Sequence, residues 1–125
     1  MAEEPERTFT LEEANAELPA LRESLKRIRE ARRTVLRSAG RVRERASTNG
    51  GGAEGKESWE ALRVLREEVE GIVGRGIILR DPDTGLVDFP SRREGRVVYL
   101  CWRDEEATIG FWHEVNTGFG GRKPL

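Results

Sequence analysis

Apolar residues recur in alternating steps of three and four along the first third of the chain. Leu11, Ala14, Leu18, Leu21, Leu25 and Ile28 are followed by Val35, Ala39, Val42 and Ala46, with Arg32 the one polar intrusion. This is a narrow heptad seam rather than a broad globular face. Thr10-Leu-Glu-Glu13 has the spacing of a capping box, in which the Thr hydroxyl and the Glu carboxylate each satisfy a backbone N–H. Pro19 suits the first turn of a helix and breaks an interior. The pattern therefore predicts a short helix over 10–17, a kink, and a long helix over 19–46. Ser47 to Gly55 holds Asn-Gly-Gly-Gly and reads as a flexible connection. Trp59, Leu62, Leu65, Val69 and Ile72 predict a second helix over 57–73, ended by Gly74 and Gly76.

A short connection makes the two helices antiparallel neighbours. Folding at the glycines sets Val42 near Leu62, Ala39 near Leu65 and Val35 near Val69. The second helix is about ten residues shorter, so the seam from Leu18 to Leu25 has no partner in it. An uncovered apolar seam needs the sheet or another subunit, and this predicts a homodimer through the helical hairpin.

After Gly76 the period changes to two. Strands are predicted over Ile77–Arg80, Leu86–Phe89 (stopped by Pro90), Arg96–Trp102 and Ala107–Glu114. The turn Asp81–Gly85, the loop Ser91–Gly95 and the acidic turn Arg103–Glu106 separate them. The fold class is α+β: an antiparallel, coiled-coil-like two-helix hairpin followed by a four-stranded antiparallel meander. It forms a single domain over 1–125, with the hairpin over 8–75 and the meander and tail over 76–125.

Composition narrows the function classes. Charged residues make up 36% and aromatics 6%, which suits solvated helices. The net charge of −1 argues against bulk capture of nucleic acid or an anionic membrane. Charge is uneven, however: residues 22–45 carry ten Lys/Arg against three Glu, and residues 54–70 carry six Glu against three Lys/Arg. The single Cys101 excludes an internal disulfide and fits a reducing compartment. No apolar run approaches 18 residues and the acidic N-terminus lacks an apolar secretory core, so a cytoplasmic location is expected.

Five motifs in order resemble a known family. They are Phe9–Asn15 with Leu18-Pro19, Gly85–Pro90, Leu100–Arg103, Trp112-His113, and Gly118–Arg122. Together they are similar to the prokaryotic family catalogued as domain of unknown function 2203. The resemblance implies a small cytoplasmic protein and supplies no catalytic residues. Where the family has Gly-Glu after the Cys-Trp strand, this chain has Glu105-Glu106.

The last forty residues hold the chemistry: the only His, the only Cys and two of three Trp. Asp88, Cys101, Glu106, His113 and Glu114 are ligand types for zinc, or for iron if carboxylates dominate, but no zinc-finger spacing is present. A hairpin turning at Asp104-Glu105 puts Cys101 and His113 four residues apart along the ladder, roughly 13 Å. That disfavours a Cys–His pair and an acyl-transfer triad. The same residues allow two readings: a structural tie in which His113 hydrogen-bonds a carboxylate such as Asp88, or a metal set of Asp88, Glu106 and His113. The expected polar binding cluster is Asp88, His113, Glu114 and Arg122, with Phe119 filling the core and Arg122 tying the tail to a carboxylate such as Asp88. The arginine ladder Arg29, Arg33, Arg37, Arg41, Arg45 winds around its helix and reads as an internally paired surface. The leading expectation is a non-catalytic binding module that dimerises and takes a protein or small-molecule partner. The alternative is a metal-binding protein or metal-dependent enzyme built on His113, Asp88 and a nearby Glu.

Overall fold

The computed structural model describes residues 4–45 and 52–125, with side chains described for 4–40 and 55–125. Two helices, α1 (Leu11–Arg45) and α2 (Gly52–Gly74), precede a sheet of five strands. These are β1 (Ile78–Asp81), β2 (Leu86–Arg93), β3 (Arg96–Trp102), β4 (Phe111–Glu114) and β5 (Lys123–Pro124). Neighbours pair antiparallel in the order β1-β2-β3-β4-β5. The tail thus adds an edge strand to the predicted meander. No described helix is long and apolar enough to cross a membrane.

The capping box forms: Thr10 Oγ1 accepts the Glu13 N–H at 3.0 Å and Glu13 Oε1 accepts the Thr10 N–H at 2.8 Å. Pro19 does not divide the helix, contrary to the sequence expectation. A proline in a helix interior costs about 3 kcal/mol. Ala14, Leu18, Leu21 and Leu25 keep one phase across it and are all buried. Burying each leucine contributes about 1.5–3 kcal/mol, so continuity of the stripe wins.

The pairing of the helices differs from expectation. Arg27 reaches Glu68 at 2.6 Å and Arg37 reaches Glu57 at 3.6 Å. Val35 therefore lies nearer the start of α2 than Val69. The cause is the earlier start of α2, at Gly52, which leaves only 46–51 between the helices. The expected Val42–Leu62 contact and the Ser47–Gly55 connection fall wholly or partly outside the described residues. This slide brings α2 alongside Leu25, and the sheet covers the rest of the stripe. Leu18, Leu21, Leu25 and Ile28 share one core with Val87, Phe89, Val98, Leu100, Trp102 and Trp112. The seam that predicted a dimer is covered within one chain.

The exposed apolar residues lie elsewhere. Ala61 and Ile72 face inward on α2, whereas Trp59 is 74% exposed and Leu62 is exposed beside it. On α1, Leu36 and Ala39 are also exposed.

The sheet departs from expectation at three connections. β2 runs through Pro90, whose carbonyl accepts the Phe9 N–H at 2.7 Å. The missing N–H of Pro90 points to that same side, where β1 has ended, so no ladder bond to β3 is lost. β2 and β3 then join through Glu94-Gly95, both at positive φ (52° and 78°), the two-residue hairpin turn whose twist matches the strands. β4 starts only at Phe111, because 103–110 forms a long connection docked on α1. Arg22 donates to the carbonyls of Glu106 and Ala107 at 3.0 Å, and Asn15 Oδ1 accepts the Ile109 N–H at 2.9 Å. Arg29 pairs with Asp104 at 2.7 Å. Gly85, at φ +71°, sits so close to Asp104 that a Cβ would come within 2.5 Å of its side chain.

The stripe assignment makes a measurable contrast. Leu21→Ala lowers the unfolding free energy in urea by about 2–5 kcal/mol, and Trp59→Ala changes it by no more than about 0.5 kcal/mol. Equal losses contradict the assignment.

Candidate metal centre and its pocket

Strand alternation sends Val87, Phe89, Leu100, Trp102 and Trp112 to the helices. The residues between them take the opposite face. Asp88 pairs with Cys101 across β2–β3, and Tyr99 pairs with His113 across β3–β4. Cys101 is two residues from Tyr99, so Asp88, Cys101 and His113 share that outer face from three adjacent strands. The Asp88 oxygen, the Cys101 sulfur and the His113 ring nitrogen all lie within 4.8 Å of one another.

This corrects the expected separation of Cys101 from His113. The turn at Asp104-Glu105 forms, with the Arg103 carbonyl accepting the Glu106 N–H at 2.9 Å, but the β3–β4 hairpin does not close on it. Docking of 103–110 on α1 lengthens the connection, so Cys101 pairs with Phe111 and lies one diagonal from His113.

The three side chains are buried, at 2%, 0% and 1% exposure respectively. His113 Nε2 is 3.0 Å from Asp88 Oδ1, and its Nδ1 is 2.7 Å from the Glu114 carbonyl. A carbonyl only accepts, so Nδ1 carries a proton and the imidazole orientation is locked. Arg80 donates from Nε to the other oxygen, Asp88 Oδ2, at 2.9 Å. Burial raises the Cys101 thiol from its ordinary 9.0 to about 12, and the Asp88 carboxylate beside it adds to the rise. Without a cation the sulfur is therefore a neutral thiol, unreactive as a nucleophile.

The remaining expected residues lie apart from this group. Glu106 accepts both contacts of Arg122 Nη2, at 2.7 and 3.0 Å, and also accepts the Arg103 N–H at 2.8 Å. Arg122 thus ties the tail to Glu106 and not to Asp88, and its guanidinium lies 3.9 Å from the Phe111 ring centroid. The Glu114 carboxylate is held by Arg96 at 2.6 Å, and only its carbonyl serves His113. Phe119 is exposed between Arg103 and Arg122 instead of filling the core. In the arginine ladder, Arg29 and Arg37 are ion-paired within the chain, and the side chains of Arg41 and Arg45 lie outside the described residues.

A pocket of about 410 Å³ opens over the cluster. It is lined by Asp88, Cys101 and His113, by Arg80 and Leu86, and by the segment Val115–Phe119. Sequence reasoning missed Arg80 and discarded Cys101. The alternation that places Arg80 on the face of Asp88 was readable; the diagonal to His113 required the true length of the 103–110 connection.

Residues 7–125 match the family described as Uncharacterized conserved protein (DUF2203). The chain belongs to that family. No curated protein and no solved structure matches it. The match begins just before Phe9 and runs through Arg122, so it takes in Asp88, Cys101 and His113 together with the elements that position them.

The raised thiol has a stability consequence. Between pH 9 and about 12 the unfolded chain loses the Cys101 proton while the folded chain keeps it, so stability falls as pH rises through that window. Cys101→Ala removes this contribution. Urea midpoints followed across the window should decline less steeply in the variant than in the parent; parallel slopes contradict the buried-thiol assignment.

Proposed function

We propose that this protein binds one zinc ion through Asp88, Cys101 and His113. The observation that carries the reading is the convergence of three different ligand atoms from three strands within 4.8 Å. Zinc accepts this mixed sulfur, nitrogen and oxygen set, and the thiolate favours it over harder cations. Tetrahedral zinc wants ligand atoms about 3.3–3.8 Å apart, so the side chains need shift by no more than about 1 Å. The ring nitrogen opposite the metal-facing one already bonds a backbone carbonyl, the outer-shell contact that orients metal-bound histidines. Arg80 does the same for Asp88, leaving Oδ1 to the metal. Three protein ligands leave a fourth position facing the pocket, the pattern of reactive rather than purely structural zinc sites. Cys101 takes the place that the sequence assigned to Glu106.

Binding converts the Cys101 thiol to thiolate, so zinc uptake releases a proton and affinity rises with pH. Elemental analysis after zinc loading and exhaustive dialysis should find one equivalent in the parent and in Glu106→Gln, with none in His113→Ala or Cys101→Ser. Retention by Cys101→Ser, or no uptake by the parent, sinks the proposal.

A second reading concerns self-association. Leu36 lies three turns beyond Leu25 on the same face of α1, and Leu62 lies two turns before Val69 on the same face of α2. These stripes run past the sheet, leaving Leu36, Leu62 and Trp59 exposed on the distal hairpin. A matching face on a second copy covers them. Sedimentation should give twice the chain mass at micromolar concentration and the single-chain mass for Trp59→Glu; a single-chain mass for the parent ends this reading.

A further inference from the structure

We infer that the pocket takes an amphipathic acid: a small molecule with a carboxylate head and an apolar body. The inference rests on the zinc reading for the position of the head. Two anionic ligands, Asp88 and the Cys101 thiolate, neutralise the ion. Arg80 adds a positive charge beside Asp88, so the fourth position favours an anion. Arg80 donates only Nε to Asp88, and among the described residues its Nη groups make no hydrogen bond. Its side chain is 44% exposed and is held in place by Asp88 and by the Tyr99 ring, 5.3 Å away. A guanidinium fixed in this way, with its outer N–H groups free, suits a carboxylate. One carboxylate oxygen completes the metal coordination and the other meets Arg80.

The rest of the pocket asks for something different. Val115 and Phe119 stand exposed on the segment that lines it, together with Leu86 and the polar Asn116 and Thr117. The three apolar side chains border a space of about 410 Å³, within the range that holds small ligands. An apolar body seated there removes Val115 and Phe119 from water. A bare inorganic anion leaves them exposed.

Cobalt(II)-substituted protein separates the two parts of this inference. The thiolate-to-cobalt charge-transfer band reports the metal, and the visible ligand-field bands report the fourth ligand. Hexanoate is the probe, with acetate and hexanol as controls. Hexanoate should shift the ligand-field bands saturably and about tenfold or more tighter than acetate, and hexanol should leave them unmoved. Arg80→Gln should weaken hexanoate about tenfold or more while the charge-transfer band persists. Phe119→Ala should bring hexanoate down toward acetate and leave acetate unchanged, with the persistent charge-transfer band showing that the site is still folded. A persistent charge-transfer band with no hexanoate response, or with acetate binding as tightly, overturns the ligand assignment and leaves the metal site standing. Absence of the band in the parent overturns both.

Discussion

The sheet can turn only one face to α1. The stripe from Ala14 to Ile28 is apolar throughout and can be buried only against an equally apolar surface, which Val87, Phe89, Val98, Leu100, Trp102 and Trp112 supply. Side chains alternate along each strand, so the residues between these must point away from the helices. Asp88, Cys101 and His113 are among them. The core therefore determines that the polar residues of β2, β3 and β4 meet on the opposite face. Rotating any one strand to bring its polar residue inward would expose a core residue for each one hidden.

A second requirement is the length of the 103–110 connection. This segment lacks regular structure, and α1 supplies its partners. Arg22 caps two carbonyls, Asn15 accepts an amide, and Arg29 neutralises Asp104. Much of the basic charge of α1 is absorbed in this way, and more of it faces the acidic α2 through Arg27–Glu68 and Arg37–Glu57. Exposed ion pairs of the latter kind contribute about 0–1 kcal/mol each. The bonds from Arg22 and Asn15 matter more for register, because they hold the connection where β4 pairs Tyr99 with His113. Helix, connection and site are linked through these few polar contacts.

The outer face is buried by other means. The turn Val115–Phe119 folds over it, and Arg122 clasps Glu106 to hold the tail down. His113 and Asp88 thus lose nearly all contact with water without entering the hydrophobic core. Each compensates through hydrogen bonds: the histidine to a carbonyl and a carboxylate, the aspartate to an imidazole and a guanidinium. The Cys101 sulfur, a weak hydrogen-bonding group, tolerates this environment as a thiol.

Local physics was legible in the sequence. The capping box at Thr10, the heptad stripe of α1 and the period-two strands all follow from spacing of a few residues. So does the crowding of reactive side chains into the last forty positions. What spacing could not give was every relation across a connection. Pro19 and Pro90 look like breaks because a proline's local cost is visible in sequence, while the burial and edge geometry that offset it are not. The helix pairing slid because the connection is shorter than its glycines suggest, and the β3–β4 register slid because its connection is longer than its acidic turn suggests. A change of one residue in a connection moves every partner beyond it. The sequence by itself therefore determined the two helices, the four main strands and the apolar stripe of α1 from Ala14 to Ile28. Only the tertiary structure decided that Cys101 rather than Glu106 joins Asp88 and His113, because that depends on register across three strands, and register is set by long-range contacts with α1.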